Sequence, residues 1–120
     1  MILKNNLYTI LRAETRDGRL CYDLRLLPDS LIYQAHFPGE PITPAVCIIQ
    51  MACELLQDHL GRPLQLTTVK NVKFLSVISP LETPELTYVF DKVQSDDTTI
   101  RTQITVRSSE TEFAKLSLIF

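Results

Sequence analysis

One segment near the middle of the chain limits the fold more than any other, because it predicts a long helix with few polar positions. Thr43 is a good N-cap residue, Pro44 suits the first helical position, and Gly61 supplies a C-terminal stop. These signals predict a helix from about residue 44 to residue 60. Its first half, AVCIIQMAC, is apolar on nearly every side, unlike an amphipathic surface helix. Other parts of the fold are therefore expected to surround it.

The rest of the chain has the alternating apolar pattern of strands. Residues 7–14 and 19–27 flank the turn-forming pair Asp17-Gly18, which predicts a hairpin. In the second of these strands, Asp23 is expected to point outward with its charged neighbours, opposite a buried leucine and tyrosine face. Four further strands are predicted at residues 66–78, 85–93, 98–107 and 112–120, the last three as an antiparallel meander.

These elements predict an α+β fold in one domain, residues 1–120. A single helix cannot cover both faces of a six-stranded sheet. The expected arrangement is a strongly curved antiparallel sheet of about six strands wrapped around the central helix, with a remaining edge or face covered by a second copy.

Composition excludes several classes of function. The formal net charge of −2, with both signs spread along the chain, gives no basic patch for nucleic acid. The longest apolar run is five residues, 45–49, so no membrane span is predicted, and the first residues lack the layout of a signal peptide. We expect a cytoplasmic location. Cys21, Cys47 and Cys53 form no metal-ligand or CxxC pattern and are interpreted as core residues.

The segment before the helix carries a motif that packing alone does not require. It reads HFPGEPITPAV from His36 to Val46, and it follows Leu31-Ile32-Tyr33, which is strand-like. Each proline removes a backbone donor and restricts the residue before it. The motif closely resembles the HFPGxPxxPGV hallmark of the FabZ and FabA type 3-hydroxyacyl-ACP dehydratases. Those enzymes are hotdog-fold homodimers, in which a curved antiparallel sheet surrounds one long helix.

The resemblance implies a function and a set of site residues. It implies removal of water from 3-hydroxyacyl thioesters carried by acyl carrier protein, without a cofactor or metal, in a homodimer or a larger assembly of dimers. His36 matches the family's base. The N-H groups at the helix start, with Ala45 where the family usually has glycine, match the group that binds the enolate oxygen. The residues expected to contact the substrate are Tyr33, Phe37, Gly39, Ala45 and Val46, with Tyr33 and Phe37 lining an acyl tunnel or packing in the core.

Gln50 stands where the family carries its glutamate or aspartate, the acid that reaches the leaving hydroxyl from the other subunit. An amide has no proton to give at neutral pH, but it can donate and accept hydrogen bonds and so hold the hydroxyl or a water. Glu54, one turn later on the same face, is a candidate substitute acid. The alternative is that Glu54, Gln57 and Asp58 are the solvated side of the helix.

Three functional hypotheses follow. The first is a FabZ-like dehydratase or hydratase with His36 as base and Gln50 orienting water or hydroxyl. The second is a weakened acyl-binding subunit, completed in a heterodimer by a paralogue that carries the acid. The third is a hotdog thioesterase, for which Glu54 is the only evident carboxylate.

Overall fold

The computed structural model describes residues 1–36 and 39–120, which form one six-stranded sheet and two helices. In chain order the elements are β1 (Tyr8–Arg16), β2 (Arg19–Leu26), α1 (Leu31–Ala35), α2 (Ala45–Leu60), β3 (Thr68–Phe74), β4 (Glu85–Ser95), β5 (Ile100–Ser108) and β6 (Thr111–Ile119). Phe37 lies outside the described residues, so its predicted contact with substrate remains a prediction.

The sheet is antiparallel throughout, in the order β1-β2-β4-β5-β6-β3. The last three strands form the predicted meander, and β3 returns to pair with β6 at one edge. A curved antiparallel sheet packed against one long helix is the predicted α+β architecture, which is therefore confirmed. β1 and β3 are the two edge strands.

The predicted hairpin is present between β1 and β2. Asp17 and Gly18 both have positive φ, at 51° and 76°. Two-residue hairpin turns whose twist matches that of the strands require positive φ at both positions. A glycine accepts this backbone without the steric cost that a side chain adds. The hairpin therefore forms at the place where the sequence indicates it.

Helix α2 joins the sheet in one apolar core. Its buried residues are Cys47, Ile48, Met51, Ala52, Leu55 and Leu56. The prediction that the first half is surrounded is wrong at its start, since Ala45 and Val46 are exposed, Val46 at 74%. The reason is that this chain's sheet covers one side of α2 and leaves the other open. Neither helix in the described part of the chain has the length and apolar character to cross a membrane.

The ends of α2 confirm one prediction and correct another. Gly61 has the left-handed backbone of a C-cap, and its N-H donates to the carbonyl of Gln57 at 2.8 Å. At the other end the N-cap is Pro44, not Thr43, and no side chain caps the helix. The Thr43 hydroxyl is turned inward to another partner, so it cannot serve the helix terminus.

Residues 31–33 were expected to be strand-like and are helical instead. They belong to α1, where the Ser30 hydroxyl accepts a hydrogen bond from the N-H of Ile32 at 3.3 Å. A serine cap favours the start of a helix, and here it overrides the β preference of the Leu-Ile-Tyr run. His36 consequently follows a short helix and not a strand.

Asp23 lies on the predicted side of β2, opposite the leucine and tyrosine face, but it is buried there and not exposed. Arg12 and Arg16 from β1 and Thr87 from β4 close over its carboxylate. Burial raises the pKa of Asp23, but the hydrogen bonds from Arg16, Thr87 and Arg12 outweigh it and hold the pKa below its usual range. A cross-strand charge cluster thus joins β1, β2 and β4 on the face away from α2.

Tyrosine hydroxyls connect the sheet to α2. The Tyr8 hydroxyl donates a hydrogen bond to Glu54 at 2.9 Å, and the Tyr22 hydroxyl donates one to Asp58 at 2.7 Å. The Tyr88 hydroxyl donates to the carbonyl of Ile48 at 2.8 Å. Burial raises the pKa of all four tyrosines of the chain, to about 12 for Tyr33 and further for the others. Their hydroxyls are therefore neutral hydrogen-bonding groups of the fold.

The tyrosine environment predicts a delayed alkaline transition. Absorbance at 295 nm should show little tyrosinate in the folded protein at pH 11, whereas the four hydroxyls of the unfolded chain should ionise with a midpoint near pH 10. Since the folded pKa values are raised, the stability from these hydroxyls is complete below about pH 10 and is lost as the pH rises through about 12. A tyrosine that ionises near pH 10 in protein still folded by far-UV circular dichroism would contradict the described packing.

Candidate active site

His36 is held by a main-chain hydrogen bond, and its side chain is exposed. It is the C-cap of α1, and its N-H donates to the carbonyl of Ile32 at 3.0 Å. The residue is exposed, and no described residue forms a hydrogen bond with its imidazole. The fold therefore fixes the backbone at this position without using the ring.

A buried hydroxyl pair closes the segment that carries His36. The oxygens of Tyr33, in α1, and Thr43, just before α2, lie 2.7 Å apart, and the Thr43 N-H donates to the carbonyl of Ile78 at 2.8 Å. Burial raises the pKa of Tyr33 to about 12, although the Thr43 hydrogen bond lowers it. Tyr33 is 1% exposed, so its hydroxyl acts here as a tie between the two helices, and its predicted contact with an acyl chain remains a prediction.

The start of α2 is open to solvent. Ala45 and Val46 are exposed, and their N-H groups precede the first helical hydrogen bonds, which run from Cys47 and Ile48 to the carbonyl of Pro44. Unpaired N-H groups and the helix dipole make such an end attractive to negative charge. Gly39 is also exposed, at a φ of 89°, with open space where a side chain would begin. Gly39, Ala45 and Val46 are three of the residues predicted to contact the substrate, and their roles remain predictions.

Gln50 lies on α2, half buried, with its amide nitrogen bound on both sides. Nε2 donates to the carbonyl of Met1 at 2.6 Å and to Oε2 of Glu54 at 2.9 Å. It also lies four residues after Val46, on the same face of the helix. The structure thus brings Gln50 and Glu54 together, whereas His36 of the same chain is bonded to neither in the described residues.

The Glu54 carboxylate accepts four hydrogen bonds. Oε2 accepts from the N-H of Leu3 at 2.8 Å and from Gln50, and Oε1 accepts from the N-H of Lys4 at 2.8 Å and from the Tyr8 hydroxyl at 2.9 Å. A carboxylate has about four acceptor directions, and all of them are used. Glu54 therefore anchors the first turn of the chain to α2.

The remaining polar residues on this side of α2 also have partners within the chain. Gln57 accepts from the N-H of Leu64 at 2.9 Å, and Asp58 accepts from the hydroxyl of Tyr22 at 2.7 Å. The row of polar residues Gln50, Glu54, Gln57 and Asp58 is a set of attachment points for neighbouring segments more than a solvated surface. Its partners at Leu3, Lys4 and Leu64 are main-chain N-H groups. Every residue except proline has such a group, so the sequence could not identify these partners.

The cysteines lack the features of a nucleophile. Cys47 is buried and Cys53 half buried, and burial raises the pKa of both thiols, to about 11 for Cys53. Thiols with raised pKa are mostly protonated at neutral pH and react slowly. Neither is a candidate for covalent chemistry beside the motif.

A large groove among the described residues does not suit an acyl chain. It has a volume of about 1120 Å³ and lies on the face of the sheet opposite α2, since its residues alternate along β4 with the buried ones. Its walls carry charged side chains, among them Arg19, Asp91 and Lys115. An apolar substrate would find little apolar surface there, which leaves the open side of α2 as the better candidate.

Comparisons with known proteins agree with this architecture. A family model described as ApeI-like, ApeI dehydratase, matches residues 12–115. Two 3-hydroxyacyl-[acyl-carrier-protein] dehydratases named FabZ are also similar. The protein from Latilactobacillus sakei is 31% identical over 70 residues, 52% of this chain and 50% of that one, and the protein from Syntrophobacter fumaroxidans is 36% identical over 56 residues, 40% of this chain and 38% of that one. The chain thus matches half or less of the length of these relatives.

Solved structures support the fold. The dehydratase heterocomplex ApeI:P from Xenorhabdus doucetiae contains a chain that superposes with a TM-score of 0.63 at 18% identity, covering 91% of this chain and 93% of that one. An uncharacterized protein from Erwinia carotovora subsp. atroseptica superposes with a TM-score of 0.60 at 17% identity, covering 95% and 96%. At such identities the likeness concerns the fold. Because the family model matches most of the sequence, this chain belongs to the ApeI-like dehydratase family.

Proposed function

We propose that the chain is a dehydratase of 3-hydroxyacyl thioesters in which His36 is the base. The observation that carries the proposal is the state of its side chain, which is exposed and has no hydrogen bond to any described residue. A histidine whose ring is not hydrogen-bonded to the described residues, at the position where the family carries its base, is available for proton transfer. Imidazole takes up and releases protons near neutral pH, as this step requires.

The proposed reaction uses the open start of α2. His36 removes the proton from C2 of the substrate, and the electrons of that bond move to the thioester carbonyl to form an enolate. The N-H groups of Ala45 and Val46 stabilise the enolate oxygen. The enolate then restores the carbonyl and forms the C2=C3 bond while the C3 hydroxyl leaves.

The leaving hydroxide needs a proton that neither Gln50 nor Glu54 is suited to give. Gln50 is an amide, and the four hydrogen bonds to Glu54 leave none of its acceptor directions for a hydroxyl. In an assembly of identical chains, the imidazolium of His36 is the remaining donor. It returns the proton taken from C2 to the hydroxide, so that water leaves and neutral imidazole is restored.

The thioesterase hypothesis is less well supported by this geometry. It requires Glu54 to face the thioester, but both carboxylate oxygens bind the first turn of the chain, Tyr8 and Gln50. The FabZ relatives are 3-hydroxyacyl-[acyl-carrier-protein] dehydratases, whose name gives an acyl carrier protein as the carrier of their substrate. We extend that carrier to this chain, together with the expected cytoplasmic location.

Self-association is part of the proposal, because one side of the molecule is built for pairing. β3 is an edge strand, and within the described residues β6 is its single neighbour. It exposes the side chains of Val69 and Phe74. An open edge with apolar side chains is a site for pairing with another strand. Val46, on the uncovered side of α2, is exposed as well. A second copy would cover these surfaces and bring a partner Gln50 toward His36, as the family resemblance implies.

A second candidate is a heterodimer, and the similar fold in a complex described as a dehydratase heterocomplex favours it. In that assembly His36 of this chain would face the acid of a paralogue, which would protonate the leaving hydroxyl. Gln50 would face the paralogue's own site. The same surfaces at β3 and α2 would serve, so only the identity of the partner differs.

His36→Ala is expected to lower the rate of interconversion of 3-hydroxyacyl-ACP and trans-2-enoyl-ACP by about 10²- to 10⁴-fold, because it removes the base. Acyl-ACP binding should be retained. The matched control is His59→Ala, which removes the chain's other histidine, exposed in the last turn of α2. The proposal fails if the unaltered protein does not interconvert these thioesters at any chain length while His36→Ala binds acyl-ACP normally.

The double substitution Val69→Glu with Phe74→Glu is expected to convert the dimer to monomer in sedimentation velocity, because it places repelling charges along the open edge of β3. Activity should fall with it, since the site needs both chains. Val93→Glu is the control, because this exposed apolar position lies on β4, which β5 and β6 separate from β3 in the sheet. An active dimer that survives the double substitution would show that the chains associate elsewhere.

Affinity purification from the native cell separates the two assemblies. A heterodimer predicts equal amounts of this chain and a hotdog paralogue with a carboxylate at the position of Gln50, and higher activity for the pair than for this chain alone. Recovery of a self-dimer only, with full activity, would leave the homodimeric enzyme as the supported form.

A further inference from the structure

The amide of Gln50 has one orientation consistent with its neighbours. The two groups beside Nε2 are the Met1 carbonyl at 2.6 Å and the Glu54 carboxylate at 2.9 Å, and both are acceptors. An exchanged amide would place its oxygen against two oxygens and lose both hydrogen bonds. Both amide hydrogens are therefore used within the chain, and Gln50 has no donor left for a ligand.

The other atom of the amide, Oε1, is free to bind. None of the described residues donates to it, and among them no buried side-chain oxygen or nitrogen lacks a partner, so Oε1 reaches solvent. It belongs to the side of α2 on which Val46 is 74% exposed. Gln50 thus presents a single acceptor to the uncovered side of the helix.

Glu54 is the residue that makes this arrangement rigid. Its carboxylate is held by the N-H groups of Leu3 and Lys4 and by Tyr8, so it cannot rotate away from Gln50 without breaking several hydrogen bonds. The same contacts hold the first turn, whose Met1 carbonyl is the second acceptor for Nε2. Removing the carboxylate would therefore release both groups that orient the amide.

We infer that Glu54 is a positioning residue, which fixes the Gln50 amide so that Oε1 accepts a hydrogen bond from the 3-hydroxyl of the substrate. The inference rests on the proposed function and deepens it, because it assigns the recognition of the hydroxyl to an acceptor. A group that only accepts hydrogen bonds can distinguish a 3-hydroxyacyl chain from an acyl chain without the hydroxyl. It does so without protonating the leaving oxygen. It orients the hydroxyl and leaves its proton chemistry to His36 or to a partner's acid.

The test compares two amide analogues of the thioester, 3-hydroxyoctanoyl-pantetheine amide and octanoyl-pantetheine amide. Their dissociation constants are measured by calorimetry in the His36→Ala protein, where turnover is blocked. One neutral hydrogen bond predicts that the hydroxylated analogue binds about 5- to 10-fold more tightly. The ratio of the two constants is the readout, because a general loss of structure weakens both analogues together.

Three variants in the same background separate positioning from a structural role. Gln50→Met removes the acceptor and should bring the ratio to about 1. Glu54→Met leaves Gln50 in place but frees its amide, and should lower the ratio to below about 2. Tyr8→Phe is the matched control, because it removes a contact to Oε1 of Glu54 and leaves Oε2 bound to Gln50. It should keep the ratio of the parent protein even if stability falls in urea titration.

Each outcome decides the inference. It is overturned if the parent ratio is near 1, if Gln50→Met keeps the preference, or if Glu54→Met keeps it while Gln50→Met loses it. Failure to bind either analogue would reject the substrate class and the inference together. A protein that shows the ratio but has no dehydration activity with His36 present would retain the recognition of the hydroxyl and reject the proposed reaction.

Discussion

The proposed site depends on the hydrogen bonds that the Glu54 carboxylate accepts. They join the first turn of the chain, the tyrosine of β1 and the middle of α2 at one point. A buried or half-buried carboxylate is stable only when such partners replace water. Once they are in place, the neighbouring Gln50 has two fixed acceptors and only one amide orientation. Because Nε2 of Gln50 donates to these two acceptors, Oε1 is the amide atom that α2 presents on its open side.

The same geometry gives a physical reason for glutamine at position 50. A carboxylate there would lie beside the Glu54 carboxylate and the Met1 carbonyl, three acceptors without a hydrogen between them. Repulsion between two carboxylates at that separation favours the state in which one of them has bound a proton and is neutral. The amide avoids the conflict by donating to both neighbours. With Glu54 held by its own hydrogen bonds, an amide at position 50 can donate to both neighbouring acceptors, which an ionised carboxylate cannot do.

Sequence predicted the fold better than the site. The hairpin at Asp17-Gly18, the C-cap at Gly61 and the meander follow from local signals, and all are confirmed. The errors at Thr43, at residues 31–33 and at Asp23 arose where a tertiary partner or a cap outweighed the local pattern.

At the site, the motif indicated His36 and Gln50 as candidate residues for the reaction. It could not show that Met1 and Leu3 reach α2, because main-chain hydrogen bonds between distant segments have no signature in residue types. The interpretation of Glu54 depended on that information, since spacing alone placed it equally well at a substrate or in solvent.

The central claim is that both amide hydrogens of Gln50 are bound within the chain. In uniformly labelled protein, the side-chain NH₂ signal of Gln50 can be assigned by its loss in Gln50→Met. Scalar couplings across hydrogen bonds then report its acceptors directly. The account predicts couplings from Nε2 to the carbonyl carbon of Met1 and to the carboxylate carbon of Glu54, with slow exchange of both hydrogens. Absence of both couplings, with the exchange rate of a free glutamine amide, would contradict it.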